Sequence, residues 1–278
     1  MRIISALWFR NVKLFVRNRV QLVLIVIMPF FYLYLLSKIF ESTFISNPIN
    51  YVLAGIVIIV VFQTSLNIAT STIDDIVSGY MKEILVSPVK RVQIAAGQIL
   101  ASTTIATFQG IIILFVGYFI GMKYTSIITP FAIIGFMIFI GLVFSAFGLF
   151  LATSIKNSQT FQIVSVAITI PITFLCGVYV PLSLLPQGLQ FVALINPMTY
   201  ATALFRTLSL EKMSLSAEEL IAEQLAFEIN NFIITPQISI LIVFVFGVLC
   251  LLLSTIAFSN VDFTRINRAK GNKDIFQQ

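Results

Sequence analysis

The stretch IAAGQILASTTIATFQGIIILFVGYFI, residues 94–120, decides the fold. It contains no Asp, Glu, Lys or Arg, and its second half, from Ile111 to Phe119, is apolar without a polar face. Crossing the hydrocarbon core of a bilayer, which is about 30 Å thick, takes roughly 20 such residues. Lipid or a bundle of helices accepts this surface, whereas water does not. The stretch therefore predicts a membrane-spanning helix.

The composition extends this prediction to the rest of the chain. Apolar residues make up 59% of the 278 residues and charged residues 10%, and the mean hydropathy is +1.03. Soluble domains carry roughly 45–50% apolar and about 25% charged residues, so these values exclude both a soluble globular protein and a disordered chain. We expect an all-α membrane protein with one domain over 1–278. Its six predicted transmembrane helices cover 20–40, 51–73, 94–120, 127–152, 161–180 and 237–258.

The distribution of positive charge predicts the orientation of these helices. Thirteen of the 17 Lys and Arg residues lie near the two termini and in the loops after the second and fourth spans. Cytoplasmic loops carry such an excess, so we expect a multi-pass protein of a plasma or bacterial inner membrane, with both termini, including the tail 259–278, in the cytoplasm. Since the basic residues sit between apolar stretches, the net charge of +6 does not point to nucleic acid.

Few residues are available for catalysis or metal binding. The chain has no His, its two Cys lie inside apolar runs, and no Asp or Glu lies inside a predicted span. This excludes histidine-based acid–base catalysis, a Cys/His zinc site and a disulfide framework. It also argues against coupling to a proton or sodium gradient through a membrane-embedded acid. We expect neither an intramembrane enzyme nor a bound metal.

The N-terminal segment 1–19 predicts a helix that lies in the membrane interface. At 100° per residue, the basic side chains of Arg10, Lys13 and Arg17 fall on one side, and Trp8 and Leu14 point elsewhere. A helix with a cationic stripe and an apolar face lies in the interface plane. The alternative is a topology signal that needs no helix.

The loop 74–93 predicts a short cytoplasmic helix with an apolar stripe. Ile73, Val77, Met81 and Ile84 recur at helical spacing, and Pro88 ends the pattern. An apolar stripe outside the bilayer needs a partner. The alternative is that it packs back on the chain's own helices.

The segment 181–236 begins with a candidate re-entrant hairpin on the outer side. About 10 apolar residues lie between Pro186 and Pro197, too few to cross a bilayer and too apolar for open water. We expect two short helices joined near Pro186 and ended at Asn196–Pro197; the alternative is an ordinary outer loop. Further on, Ser216 and Glu219 match a capping box that predicts an external helix through Phe232.

Several uncharged polar residues lie inside the predicted spans. Gln63, Asn67, Thr169 and Thr173 either line a pathway or form hydrogen bonds between helices. The same alternatives apply to Thr64, Ser65 and Ser165. The small residues Gly141, Ser145 and Gly148 are expected to be close-packing points.

Two stretches resemble the ABC-2-type exporter permeases. The first, SGYMKEILVSPVKRVQIAAGQILA (78–101), is similar to the family's cytoplasmic loop, E-x-L-x-x-SP-x-x-R followed by a helix rich in small residues. The pattern is filled by Glu83, Leu85, Ser87, Pro88 and Arg91. The second, LCGVYVPLSLLPQGLQFVALINPMTYATALFR (175–206), is similar to the family's gate region and ends on NP-x-TY-x-x-x-x-x-R. Its positions are Gly177, Pro181, Pro186, Asn196, Pro197, Tyr200 and Arg206.

This resemblance implies partners and roles that the residues alone do not. It implies a dimer, formed with an identical or a paralogous permease chain, that recruits two separate ATP-binding-cassette subunits. The helix at 74–86 would be the coupling helix, the N-terminal helix the connecting helix, and the re-entrant pair the outer closure. The coupling residues would be Gly79, Tyr80, Met81, Lys82, Glu83, Leu85, Ser87, Pro88 and Arg91. ATP and Mg would be bound by the partner subunit, since no G-x-x-x-x-G-K-[ST] occurs in this chain.

The expected function is export powered by a separate ATPase. A pathway lined by uncharged polar and apolar groups suits an amphiphilic, drug-like or lipid-like cargo. The alternatives are a permease for a polysaccharide or lipid-linked glycan and a membrane anchor for an ATPase that transports nothing.

Overall fold

The computed structural model describes residues 2–40, 48–86, 89–122, 124, 126–155, 157–180, 182–223, 225–229 and 232–260. This part of the chain is nearly all helical. Its helices are α1 (Arg2–Arg17), α2 (Arg19–Phe40), α3 (Pro48–Val77), α4 (Tyr80–Val86), α5 (Arg91–Ile120), α6 (Ile128–Ser154), α7 (Ser158–Leu175), α8 (Gln187–Ile195), α9 (Pro197–Ser209), α10 (Ala217–Ala222) and α11 (Pro236–Asn260). A 3₁₀ turn, Leu182–Leu184, precedes α8, and the strands β1 (Phe227–Ile229) and β2 (Phe232–Ile234) pair antiparallel.

Within the described residues, five helices are long and apolar enough to cross a membrane: α3, α5, α6, α7 and α11. The helices α1 and α2 pass the same test only as a pair, and that pair bends by 78° at its break. The chain therefore has five candidate spans, or six if the bent pair counts as one. Four predicted spans, 51–73, 94–120, 127–152 and 237–258, correspond to α3, α5, α6 and α11, with helix ends that differ from the prediction by up to four residues. The span predicted over 161–180 ends earlier, at Leu175, because a turn follows in which Gly177 has φ +82°.

The helix α3 forms the centre of the bundle. Residues 51–59 are all buried, and α3 packs against α5 and α6 along its length and against α9 at one end. The rings of Phe62 in α3 and Phe144 in α6 meet edge to face with centroids 4.8 Å apart. Because α3 rises about 1.5 Å per residue, Tyr51 and Asp75 lie roughly 36 Å apart. We call the end near Asp75 the α1–α4 end and the end near Tyr51 the α8–α9 end.

Small residues allow α3, α5 and α6 to approach closely. A Cβ atom on Gly148 would lie 3.0 Å from the Ser65 carbonyl oxygen, and one on Gly141 would lie 3.1 Å from Thr103 Cγ2. Between them, the Ser145 hydroxyl donates to Ser102 Oγ at 2.8 Å. The prediction that Gly141, Ser145 and Gly148 are packing points is confirmed, since all three are buried between helices.

The predicted external helix through Phe232 was wrong beyond its first turns. The capping box exists, with Ser216 and Glu219 bonded reciprocally, but α10 ends at Ala222. The hairpin that follows is built from aromatic and β-branched residues, which favour strands over helices. The chain is thus not strictly all-α as expected.

We expect Gly148→Leu to disrupt the bundle because the new side chain meets backbone of α3. Overpacking of this kind costs about 1–3 kcal/mol. The apparent Tm in detergent and the monodisperse fraction on size exclusion should both fall. The matched control is Gly135→Leu on the same helix, where a new Cβ meets no atom within 4 Å. Equal behaviour of the two variants would contradict the packing role.

Candidate functional site

Arg10 joins three helices at the α1–α4 end. Its guanidinium forms a two-point ion pair with Asp75, in which Nη1 donates to Oδ2 at 2.8 Å and Nη2 donates to Oδ1. The guanidinium carbon also lies 4.1 Å from the centre of the Tyr80 ring. The hydrogen bonds to Asp75 raise the pKa of Arg10 above its usual value. This contact fixes α1, the last turn of α3 and the first turn of α4 to one another.

The rest of α1 lies against α5. Its buried face carries Leu7, Asn11 and Phe15, one turn apart. The Asn11 Nδ2 donates to Gln98 Oε1 at 2.7 Å, and the Trp8 indole donates to Thr104 Oγ1 at 3.0 Å. The predicted amphipathic helix is therefore present, but its basic residues do not all face outward.

Two of the three predicted basic residues of α1 are exposed. Lys13 and Arg17 face outward, as expected for side chains near lipid headgroups. Arg10 instead turns into the protein, because the buried carboxylate of Asp75 lies within its reach.

The segment predicted as one coupling helix over 74–86 is two helices. The positive φ of Gly79, +88°, follows the end of α3 at Val77, and α4 starts at Tyr80. Met81 is fully buried and Ile84 half-buried in a cluster with Ile76. At these residues the apolar stripe packs on the chain's own helices, so the expectation that it meets a partner was wrong for them and the alternative holds.

The exposed surface of α4 is smaller than the predicted apolar stripe. Glu83 is exposed, and Val86 has 88% of its surface accessible. The side chains of Lys82 and Leu85 and the residues Ser87 and Pro88 lie outside the described part of the chain. Arg91 starts α5, and its Nη1 donates to the Ser259 carbonyl oxygen of α11.

Asp74 and Asp75 hold helices together, although no individual role was predicted for either residue at the start of the coupling helix. Asp75 binds Arg10, and Asp74 accepts a hydrogen bond from the Ser158 hydroxyl at the start of α7. Together they connect the end of the central helix to α1 on one side and to α7 on the other. The available signal was a pair of acids placed directly after a long apolar span, near a basic helix.

The predicted pathway residues flank two clefts beside α3. The first lies between α2 and α3, the second lies between α3 and α7, and each has a volume of about 230 Å³. Gln63 and Asn67 are exposed and line both clefts, and Thr169 and Ser165 line the second.

Other polar span residues are used between or within helices. The Thr64 hydroxyl donates to Gln109 Oε1 across to α5, and Ser65 belongs to the buried group around Ser145. Thr173 is buried, and its hydroxyl donates to the Thr169 carbonyl oxygen at 2.8 Å.

At the α8–α9 end, Asn196 joins three helices. Its Oδ1 accepts from the Met198 N–H at 3.0 Å and so caps α9, while its Nδ2 donates to the Ile172 carbonyl oxygen of α7 at 2.8 Å. Pro197 occupies the first position of α9, where its missing N–H costs nothing.

The next two polar residues of the same motif satisfy the end of α8. The Thr199 hydroxyl donates to the Ala193 carbonyl oxygen at 2.6 Å, and the Tyr200 hydroxyl donates to the Leu194 carbonyl oxygen. Carbonyls of a last helical turn lack the usual backbone partner; the Ala193 carbonyl oxygen also accepts from the Asn196 N–H at 3.2 Å. The sequence NP-x-TY, residues 196–200, is thus the connector between α8 and α9. Asn196 and Pro197 start α9, and the hydroxyls of Thr199 and Tyr200 donate to carbonyl oxygens of the last turn of α8.

The predicted hairpin is displaced along the chain. Its joint lies at Asn196 rather than near Pro186, which instead is the N-cap of α8. The stretch before Pro186 forms only the 3₁₀ turn, and Pro181 lies outside the described residues. α8 is largely exposed, whereas α9 is buried between α3, α6 and α11.

Arg206 ties α9 to the start of α3. It is 3% exposed, its Nη2 donates to the Gly177 carbonyl oxygen at 2.9 Å and its Nε donates to that of Tyr51. The guanidinium carbon lies 3.6 Å from the Tyr51 ring centre. All the predicted residues of this region that are described, Gly177, Pro186, Asn196, Pro197, Tyr200 and Arg206, therefore lie around α8 and α9.

Comparisons with known proteins give the following matches. The family model "ABC-2 type transporter" matches residues 2–210. The chain is also 25% identical over 247 residues to the "Putative transport permease ycf38" of Cyanophora paradoxa, covering 85% of this chain and 82% of the relative.

We expect Asp75→Asn to loosen α1, because Arg10 then loses its charged partner at a cost of about 2 kcal/mol. Trp8 is the only tryptophan in the chain and sits on α1, so its fluorescence reports the change directly. A soluble quencher should reduce the Trp8 fluorescence more strongly in the variant than in the wild-type protein. Lys13→Gln, an exposed charge removed from the same helix, serves as the control, and an unchanged Trp8 signal in Asp75→Asn would refute the contact.

We expect Asn196→Ala to free α8 from α7, since the variant loses both the helix cap and the bond to Ile172. A lost cap alone costs about 1 kcal/mol. Hydrogen–deuterium exchange should accelerate at the amides of α8. Asn157→Ala is the matched control, because Asn157 caps only its own helix, α7. If both variants left α8 equally protected, the joint would not depend on Asn196.

Proposed function

The chain belongs to the ABC-2 type transporter family, and from this premise we propose that it is the membrane-spanning permease subunit of an ATP-driven exporter. It is a multi-pass membrane protein, and permeases of this family normally work with an ATP-binding subunit. The observation that carries the proposal is the family match across residues 2–210, which includes both ends of α3 and the connector at Asn196. The relative's printed name, a transport permease, points the same way.

We place six spans in the membrane, with α2 as the first and α1 in the interface at the cytoplasmic side. The bend of 78° between α1 and α2 supports this assignment, because it separates an amphipathic helix from an apolar one. The excess of Lys and Arg near the termini supports cytoplasmic placement of the α1–α4 end. On the same grounds, α8 and α9 form a re-entrant pair at the outer side.

The exposed face of α4 is the proposed seat of the ATP-binding subunit. Because Met81 is buried, contact would fall on Glu83 and Val86 and on the half-buried Tyr80. Movement of α4 would reach α1 through the contact of Tyr80 with Arg10. Through Asp74 and Ser158 it would reach α7 as well. ATP and Mg would be held entirely by the partner subunit.

A second permease chain would complete the pathway on the open side of α3. Gln63 and Asn67 are exposed amides near the middle of a span, and lipid cannot satisfy them. A polar cavity between two copies of the chain would offer hydrogen-bonding partners to both amides. The permease then works by two packings of the same helices of similar free energy, and the ATPase subunits bias one against the other. Thr173, buried and bonded to its own helix, is the weakest of the four proposed lining residues.

The outer closure would be the connector between α8 and α9. Its hydrogen bonds to α7 allow a tilt of that helix to move the outer pair. In this scheme Arg206 holds α9 to α3 while α8 moves.

The proposed cargo is amphiphilic, drug-like or lipid-like, because both clefts beside α3 combine uncharged polar and apolar side chains. A permease for a polysaccharide or lipid-linked glycan is the alternative within the same architecture. The remaining alternative, a membrane anchor for an ATPase, is distinguished by reconstitution. Vesicles containing the permease and its co-purified ATPase subunit should accumulate cargo only with ATP, whereas an anchor would show ATPase activity without transport.

We expect Glu83→Ala and Val86→Asp to reduce ATP-driven transport and permease-stimulated ATPase activity severalfold, because both change the proposed docking face without touching the core. Insertion and apparent Tm should be unchanged. Glu218→Ala, an exposed acid at the opposite end, is the control. Normal ATPase stimulation in both α4 variants would place the docking surface elsewhere. A charge at Met81 is not a clean test, since that side chain is fully buried.

A further inference from the structure

The amides in the middle of α3 lack hydrogen-bonding partners in the described part of the chain. Neither Gln63 nor Asn67 forms a hydrogen bond to another described residue, although both lie well inside the span Ile49–Ile76. An unsatisfied polar group in hydrocarbon costs several kcal/mol. By contrast, Thr64 and Gln109 beside them bond to each other. The exposed amides are therefore available to a molecule that enters the cleft.

The cleft between α2 and α3 is polar but carries no charge. Its polar lining consists of amides and hydroxyls, and among the residues that the structure describes no Asp, Glu, Lys or Arg side chain lines it. The polar residues are Gln21, Gln63, Asn67, Gln109, Thr64, Tyr32 and Tyr179. This composition restricts the electrical charge of any ligand.

A charged headgroup would lose its hydration in this cleft without gaining a counterion. Burial of an unpaired charge is much more costly than burial of a hydrogen-bonded neutral group. A hydroxyl group both donates and accepts, and so does a side-chain amide. Hydroxyls or amides on a ligand therefore match Gln63 and Asn67, whereas phosphate or quaternary ammonium groups do not.

The amide side chains lie toward one end of the cleft. Because α2 and α3 run in opposite directions, Gln21 and Asn67 lie toward the α1–α4 end, while Met28, Pro29 and Ile56 lie toward the other, together with the rings of Tyr32 and Tyr179. A ligand that satisfies both ends has a polar head and an apolar tail.

We infer that the α2–α3 cleft binds an amphiphile whose head is electrically neutral and carries hydroxyl or amide groups. Its head bonds to Gln63 and Asn67, and its tail lies along Met28, Pro29 and Ile56. That this molecule is cargo rests on the proposed function, but its binding does not. The inference narrows the cargo from amphiphiles in general to those with an uncharged, hydrogen-bonding head.

The test uses the full chain in phosphatidylcholine nanodiscs, with empty nanodiscs subtracted. Three probes share one tail and differ in the head: dodecyl glucoside, dodecyl phosphate and dodecyltrimethylammonium, with glucose as the probe without a tail. We expect the glucoside to bind at least tenfold more tightly than the two charged probes, and glucose to show no binding. Gln63→Leu should weaken glucoside binding roughly tenfold, the equivalent of about 1.4 kcal/mol.

The matched control is Gln162→Leu, which removes an exposed amide of α7 that lines neither cleft; glucoside binding should be unchanged. Equal binding of all three heads, binding of glucose alone, or an unaffected Gln63→Leu variant would overturn the inference. Absence of glucoside binding would overturn the inference as well. If the glucoside binds as expected but ATP drives no transport, the proposed function fails and this inference stands.

Discussion

Every polar group inside the membrane must find its partner within the protein, because lipid offers none. At both ends of α3 this requirement is met by side chains that reach between helices. Arg10 pairs with Asp75 at one end, and Arg206 donates to the carbonyl oxygens of Gly177 and Tyr51 at the other. In the middle of the same helix, Gln63 and Asn67 remain exposed. The contrast between satisfied ends and an unsatisfied middle is the physical basis for proposing a pathway beside α3.

The same contacts connect elements that a transport cycle would have to move together. The carboxylates of Asp74 and Asp75 join the central helix to α7 and α1, while Asn196 joins α7 to the connector between α8 and α9. A displacement at α4 therefore has a continuous route of hydrogen bonds and helices to the opposite end. The route is a hypothesis about coupling, and the variants at Asp75 and Asn196 separate its two halves.

Much of the fold could be predicted because apolar length is a property of the sequence itself. The runs that became α3, α5, α6 and α11 are long and uncharged, and no tertiary contact is needed to recognise them. The break at Asn196 and Pro197 was also recognisable, but it was predicted as the end of the outer pair, whereas it is the joint at which α9 begins. The burial of Met81 against the chain's own helices could not be predicted. Its spacing indicated an apolar stripe, but spacing cannot tell whether a stripe meets a partner or the chain's own helices.

The amino-acid sequence by itself determined that this chain crosses a membrane several times, which family it resembles, and that a capping box at Ser216 starts a helix. Those properties depend on composition and on neighbours along the chain. Only the tertiary structure decided that Arg10 turns inward, that α4 is short and rests on the bundle, and that the joint of the outer pair lies at Asn196. Arg10 binds Asp75, α4 packs in a cluster with residues of α1 and α5, and Asn196 binds the Ile172 carbonyl oxygen. These partners lie far apart along the chain, so their contacts form only once the helices have packed.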